Sequence, residues 1–331
     1  MIDKPYLLFL GDVADQLAAK TAQGVVDWRP DAALGQLRLV GCKADLGLPE
    51  MSIADAAAKG ARTFLVGVAN SGGVLPEHWI TTIVEAIEAG MDVASGLHMR
   101  LADIPEIEAA AGAKGVRLFD VRHPTRSFAT GKGTRRPGKR ILAVGTDCSC
   151  GKMYTTLALE QEMRARGMKA DFRATGQTGI LITGEGVSID AVVADFISGA
   201  VEWLCPANEP DHWDIVEGQG SLFHPSFAGV SLGLLHGSQP DYIVLCHEPT
   251  RTHMRGLPHQ KLPGLALCLQ RNLEAAQLTN PDVLALGVSI NTSALGDAAA
   301  RDYLQKIEDE LQLPTVDAFR SGVVKLVEAL A

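Results

Sequence analysis

Arg140-Ile141-Leu142-Ala143-Val144-Gly145-Thr146-Asp147-Cys148-Ser149-Cys150-Gly151-Lys152 is the stretch that decides the fold. An apolar run of strand length ends in a loop bounded by two glycines. Lys152 then opens a stretch with apolar residues at Leu157 and Leu159. Strand, glycine-bounded loop and helix together are the setting of a phosphate-binding loop. Its successive backbone N–H groups form an anion nest. The helix N-terminus adds about half a positive charge, and Lys152 adds a mobile full charge. Gly145, Thr146, Asp147, Cys148, Ser149, Cys150, Gly151, Lys152, Met153, Tyr154 and Thr155 are therefore the expected phosphate-binding residues.

Two features set this loop apart. Gly145 and Gly151 stand one residue further apart than in Gly-x-x-x-x-Gly-Lys-[Ser/Thr], and this longer form resembles the loop of dethiobiotin synthetase and its relatives. Met153 takes the place of the hydroxyl residue that normally holds Mg²⁺, and a thioether is a poor ligand for a hard cation. Thr155 and Thr156 follow and offer partial compensation. The loop thus suits phosphates held with little help from Mg²⁺, including those of coenzyme A.

Outward from the loop, apolar runs alternate with amphipathic stretches. Before it, strands are expected at Tyr6–Leu10, Leu37–Val40, Thr63–Val68, Asp92–Gly96 and Val116–Asp120. Helices are expected at Ser52–Lys59, Trp79–Ala89 and Ile104–Ala111. After it, strands are expected at Ala170–Ala174, Trp213–Glu217, Tyr242–Cys246, Val283–Ile290 and Thr315–Ala318. The helices there are Gly151–Arg166, Ser188–Leu204, Leu265–Ala276, Asp297–Leu311 and Ser321–Ala331. Such alternation predicts an α/β chain with parallel sheets covered on both faces. The basic, glycine-rich segment around residues 130–140 reads as a linker. The expectation is a Rossmann-like N-terminal domain over 1–135, then a P-loop NTPase-like, doubly wound, mostly parallel domain over 136–331. No Gly-x-Gly-x-x-Gly follows the first strand, so a dinucleotide role gains no support. Asn70-Ser71-Gly72-Gly73 reads as a turn or a ligand loop.

Composition narrows the class. The 331 residues carry a net charge of −9, which argues against nucleic acid. No apolar stretch reaches the roughly 18 residues of a membrane span. The N-terminus lacks the pattern of a secretory leader. The six cysteines, with no ligand pair at zinc spacing, fit reduced thiols in a cytoplasmic protein and no metal. A homo-oligomer is expected, a dimer being its simplest form.

Four further groups carry candidate chemistry. The strand ending at Glu217 delivers that carboxylate to a glycine-rich turn with Gln219 and Ser221, as a metal ligand or a general base. A carboxylate that merely caps the turn is the plainer alternative. His224 follows it, as a second base or as a structural residue. Arg173, Thr175, Gln177, Thr178 and Gly179 offer donors suited to a small polar substrate or a pantetheine amide. Arg251 and Arg255 can form bidentate pairs with a dicarboxylate.

Taken together, Gly145-Thr146-Asp147-Cys148…Gly151-Lys152-Met153, Gly176-Gln177-Thr178-Gly179 and Glu217-Gly218-Gln219-Gly220-Ser221-Leu222 resemble a bacterial family of P-loop proteins. That family was long known only as a domain of unknown function, and it includes a D-glutamate N-acetyltransferase. The resemblance spans the whole chain. It implies acetyl transfer from acetyl-CoA to the amino group of D-glutamate, within D-amino-acid catabolism. For such a transfer Glu217 is the expected base, with His224 second, and Arg173, Thr175, Gln177, Thr178, Gly179, Gln219, Ser221 and Arg251 are the expected substrate residues. Two rivals stand beside it. One is an ATP- and Mg²⁺-dependent ligase or kinase resembling dethiobiotin synthetase. The other is a nucleotide-sensing module without turnover.

Overall fold

A computed structural model describes residues 1–69 and 73–330, so Asn70, Ser71 and Gly72 of the suggested ligand loop lie outside the described residues. The chain forms two compact units. One comprises 1–126 and 176–191, the other 127–175 and 192–331.

The first unit holds a five-stranded, all-parallel sheet. Its strands are β1 (Tyr6–Gly11), β2 (Ala33–Arg38), β3 (Thr63–Val66), β4 (Asp92–Ser95) and β5 (Leu118–Asp120), in the order β2-β1-β3-β4-β5. Every residue of β1 is buried, as a strand covered on both faces requires. β2 lies earlier than the apolar run Leu37–Val40 suggests. Gly35, which looks like a turn residue, sits inside the strand because a Cβ there would lie 2.8 Å from the Pro49 carbonyl. Leu39 and Val40 leave the sheet, and Val40 is fully exposed.

The second unit holds β6 (Lys139–Gly145), β7 (Ala170–Arg173), β8 (Trp213–Val216) and β9 (Tyr242–His247). The hairpin of β10 (His253–Met254) and β11 (Leu257–Lys261) comes next, followed by β12 (Leu284–Ile290) and β13 (Thr315–Val316). The main sheet is all parallel, in the order β13-β12-β9-β6-β8-β7. The chain winds from β6 to β8 and β7 on one side and to β9, β12 and β13 on the other. The carboxyl end of β6, where those directions part, is the ligand position of an open α/β sheet. Among the described residues no helix is long and apolar enough to cross a membrane.

The long helix expected over Ser188–Leu204 is broken. Residues Ile189–Ala191 and Ala194–Phe196 are single 3-10 turns, and the α-helix covers only Ile197–Leu204. Val193 is extended (φ −57°, ψ 137°). The β-branched residues Ile189, Val192 and Val193 resist helix packing, and the chain passes from one unit to the other between 191 and 192. Three elements went unanticipated: helices Lys20–Trp28 and Ala228–Ser238, and the β10–β11 hairpin. Gln177 begins a further helix, Gln177–Thr183, where a substrate turn was expected. That helix belongs to the first unit, where Gly24 lets Ile182 approach and Thr178 Oγ1 lies 3.5 Å from Thr21 Oγ1.

Candidate functional site

β6 ends at Gly145, and the loop that follows is held open from both sides. Gly145 must lack a side chain, because a Cβ would stand 2.6 Å from Cys150 Sγ. Ser149 adopts a left-handed conformation (φ 52°), a position costly for a non-glycine residue and most often kept for function. Gly151 is also left-handed (φ 104°), which turns the chain into helix Lys152–Ala165. Among the described residues, the backbone N–H groups of Ser149, Cys150, Gly151, Lys152 and Met153 have no hydrogen-bond partner. Five consecutive free donors at a helix start make an anion nest. Lys152 is buried over it and donates to the Asp147 carbonyl at 2.8 Å. Burial works against its charge, and the sulfurs of Cys150, Cys246 and Cys148 offset that and leave its pKa raised.

Asp147 organises the outer rim. Its fully buried carboxylate accepts from Arg251 Nη1 at 2.6 Å, from the Arg255 amide at 2.8 Å and from the Cys148 amide at 2.7 Å. Burial opposes ionisation, but Arg251 and the two amides hold Asp147 below the usual carboxylate range. Arg251 also donates to the carbonyls of Cys148 (2.6 Å) and Ser149 (3.3 Å) and faces Glu248 at 3.4 Å. Arg251, expected on the substrate, clamps the loop in this structure. Asp147, Cys148 and His224 bring possible metal-binding atoms within 4.8 Å of one another. Asp147 already carries Arg251 on Oδ2 and the Cys148 amide on Oδ1. Burial pushes the Cys148 thiol up in pKa, with Lys152 partly opposing it.

The hydroxyls of Thr155 and Thr156 are both engaged within the fold. Thr155 Oγ1 bonds to the Gly151 carbonyl (3.0 Å) and lies 2.8 Å from Ser289 Oγ. Thr156 Oγ1 donates to the carbonyls of Lys152 and Met153. The ring of Tyr154 packs on Phe319, with centroids 4.4 Å apart. Thr146 Oγ1 lies 2.9 Å from Nδ1 of the buried His247.

The second wall is the turn after β8. Glu217 is 4% exposed, and its Oε2 accepts from the Thr175 amide at 2.8 Å. Thr175 Oγ1 donates to the Glu217 carbonyl at 2.6 Å and accepts from Gln219 Nε2 at 3.1 Å. Ser221 Oγ donates to the Thr146 carbonyl at 3.2 Å, joining this turn to the loop. His224 is 2% exposed, receives the Ser226 amide on Nδ1 (3.2 Å) and reaches the Arg255 carbonyl from Nε2 (3.3 Å). Its ring stacks on Phe227. The structure therefore gathers residues 145–155, Thr175, Glu217, Gln219, Ser221, His224 and Arg251. It does not bring Arg173 to them: that guanidinium lies 2.7 Å from Asp214 Oδ1, near the start of β8. Gln177, Thr178 and Gly179 sit in the first unit. Sequence reasoning missed Ser231, whose hydroxyl donates to the Gln219 carbonyl at 2.7 Å. It lies inside a helix that the sequence did not announce.

Two expected outcomes follow from this packing. A Cβ on Gly218 would stand 1.7 Å from the Ala143 carbonyl and 3.0 Å from Lys152 Cδ. Gly218→Ala should therefore lose about 3 kcal/mol of stability, read as a lower urea midpoint. An unchanged midpoint refutes the close approach. The second outcome concerns His247, whose pKa burial pushes down from 6.5 to about 4, outweighing Glu248. Its folded form binds a proton less readily than its unfolded form. Its contribution is whole above pH 6.5 and is lost as pH falls toward 4. His247→Gln should flatten the stability–pH curve in that window, and an undiminished slope there refutes the assignment.

Known proteins match the chain over its full length. Residues 127–327 match a family described as a domain of unknown function, the DUF1611_C P-loop domain, and residues 37–124 match its Rossmann-like DUF1611_N counterpart. A D-glutamate N-acetyltransferase of Tritonibacter scottomollicae is 55% identical over 331 residues, covering 100% of this chain and 99% of that one. A second protein of the same name, from Pseudoalteromonas sp, is 52% identical over 329 residues, 99% of each chain. The crystal structure of a DUF1611 family protein from Anabaena variabilis ATCC 29413 superposes with a TM-score of 0.86 at 30% identity, covering 99% of both chains. With both halves matched and the fold shared from end to end, the chain belongs to the DUF1611 family.

Proposed function

We propose that this protein transfers the acetyl group of acetyl-CoA to the amino group of D-glutamate. The observation that carries the reading is the full-length identity above 50% to two D-glutamate N-acetyltransferases. The nest at 149–153, roofed by Lys152, supplies a place for the donor's pyrophosphate. Met153, and the commitment of the Thr155 and Thr156 hydroxyls within their own helix, disfavour the Mg²⁺–ATP reading.

In the proposed reaction the amine nitrogen attacks the acetyl carbonyl. The C–N bond forms, the C–S bond breaks, and the proton that the amine gives to a base passes on to the departing sulfur, so coenzyme A leaves as its thiol. Glu217 is our choice for that base, with His224 second. The arrangement around His224 favours Glu217: both imidazole nitrogens of His224 already meet backbone groups. The assignment has a geometric corollary. About a dozen chain atoms, four peptide units' worth, separate the pyrophosphate from the sulfur, so an extended arm reaches ~14 Å. For Glu217 to act, the arm must fold back over the 217–221 turn. Thr175, Gln219 and Ser221 line that turn and are proposed to orient the substrate.

We place the activity in D-amino-acid catabolism in the cytoplasm, consistent with six unpaired cysteines. A homo-oligomer is proposed, and the exposed Phe196, Trp203 and Phe227 offer apolar surface for it. The test is a free-thiol assay with acetyl-CoA and a panel of D- and L-amino acids, without Mg²⁺ or ATP. Thiol release with D-glutamate is the expected result; none sinks the function.

A further inference from the structure

We propose that Arg255 reads the third phosphate of the donor, the 3′-phosphate that distinguishes coenzyme A from dephospho-coenzyme A. This rests on the donor assignment above. On the donor reading the pyrophosphate lies on the nest and Lys152. The ribose phosphate must then stay outside the loop, on its exposed rim, and as a dianion it needs a cation there.

The rim offers two guanidinium groups, and they are not equivalent. Arg251 is committed to the Asp147 carboxylate, to the carbonyls of Cys148 and Ser149, and to Glu248. Taking it away would strand a buried carboxylate. Arg255 is exposed, and its guanidinium donates through Nη1 to the hydroxyl of Ser149, its one hydrogen-bond partner among the described residues. Its backbone, by contrast, is fixed on both sides. Its amide donates to Asp147 Oδ2 at 2.8 Å, and its carbonyl meets His224 Nε2 at 3.3 Å. The neighbouring Met254 is fully buried, and Gly256 (φ 78°) makes the turn of the hairpin. A pinned backbone thus carries an exposed guanidinium over the loop, on the hydroxyl of the exposed, left-handed Ser149. Such pre-organisation lowers the ordering cost of gripping a ligand. It also gives His224 and Asp147 a shared duty as positioning residues for Arg255.

The experiment measures binding of coenzyme A and dephospho-coenzyme A by calorimetry, and kcat/KM for their acetyl forms. The proteins compared are the unsubstituted chain, Arg255→Gln and Arg255→Lys. The unsubstituted protein should prefer coenzyme A by about tenfold, as one charge-assisted contact at an exposed rim gives. Arg255→Gln should lose that factor for coenzyme A and keep its dephospho-coenzyme A values; Arg255→Lys should recover part of it. Equal affinity for the two forms in the unsubstituted protein overturns the proposal. So does an equal loss for both forms in Arg255→Gln, which would make Arg255 a brace for Ser149. If the unsubstituted protein binds neither form, the donor assignment itself falls, and this inference falls with it.

Discussion

Lys152→Met will abolish the thermal stabilisation that coenzyme A gives the protein and raise the KM for acetyl-CoA about a hundredfold. The methionine stem keeps most of the buried volume and removes the charge. In the unliganded protein the ammonium makes one strong bond, to the Asp147 carbonyl at 2.8 Å, and is otherwise desolvated. An apolar side chain of similar volume in place of a desolvated ammonium with no carboxylate partner removes the cost of burying that charge. The unliganded melting temperature should therefore hold or rise. With donor bound, the variant forfeits one or two charge-assisted bonds to phosphate, about 3 kcal/mol in all. That loss converts to about two decades in affinity. A variant whose melting temperature still rises with coenzyme A as before would show that the phosphates bind elsewhere.

Glu217→Gln should lower kcat by about 10²- to 10⁴-fold with little change in the KM for acetyl-CoA. The fold should survive: the glutamine amide oxygen can still accept from the Thr175 amide, and the main-chain carbonyl still meets Thr175 Oγ1. Near-normal turnover would remove Glu217 as base. His224, the second candidate, would take the role. Glu217 would then be a brace between the ends of β7 and β8.

The P-loop was legible because its chemistry is local. Gly145, Gly151 and Lys152 lie within eight consecutive residues after an apolar strand, and short-range geometry determines the rest. The α/β class followed from alternation, and β1, β6, β9 and β12 stand close to where the apolar runs place them. What stayed hidden was non-local. Nothing near Arg251 announces Asp147, which lies 104 residues away in sequence. Arg173 reads as a free cation until β8 places Asp214 beside it. Gln177–Thr183 looks like a substrate turn because its glycines and hydroxyls suit one. Its helical state depends on packing within the first unit, against Gly24 and Thr21. The Ser188–Leu204 pattern had helical periodicity, but the break at Val193 comes from where the chain changes units.

That change of units has a consequence for synthesis. The Rossmann-like unit takes its last segment, 176–191, from beyond the phosphate loop. On the ribosome, residues 1–126 emerge without the helix that covers Gly24, and they wait for about sixty further residues. At roughly 5–20 residues per second that is several seconds with an unfinished apolar face. The nascent chain must meanwhile keep the strand and helix of the phosphate loop out of that gap. The first unit is thus completed late, and cutting the gene at the linker would yield a half that never receives its closing piece.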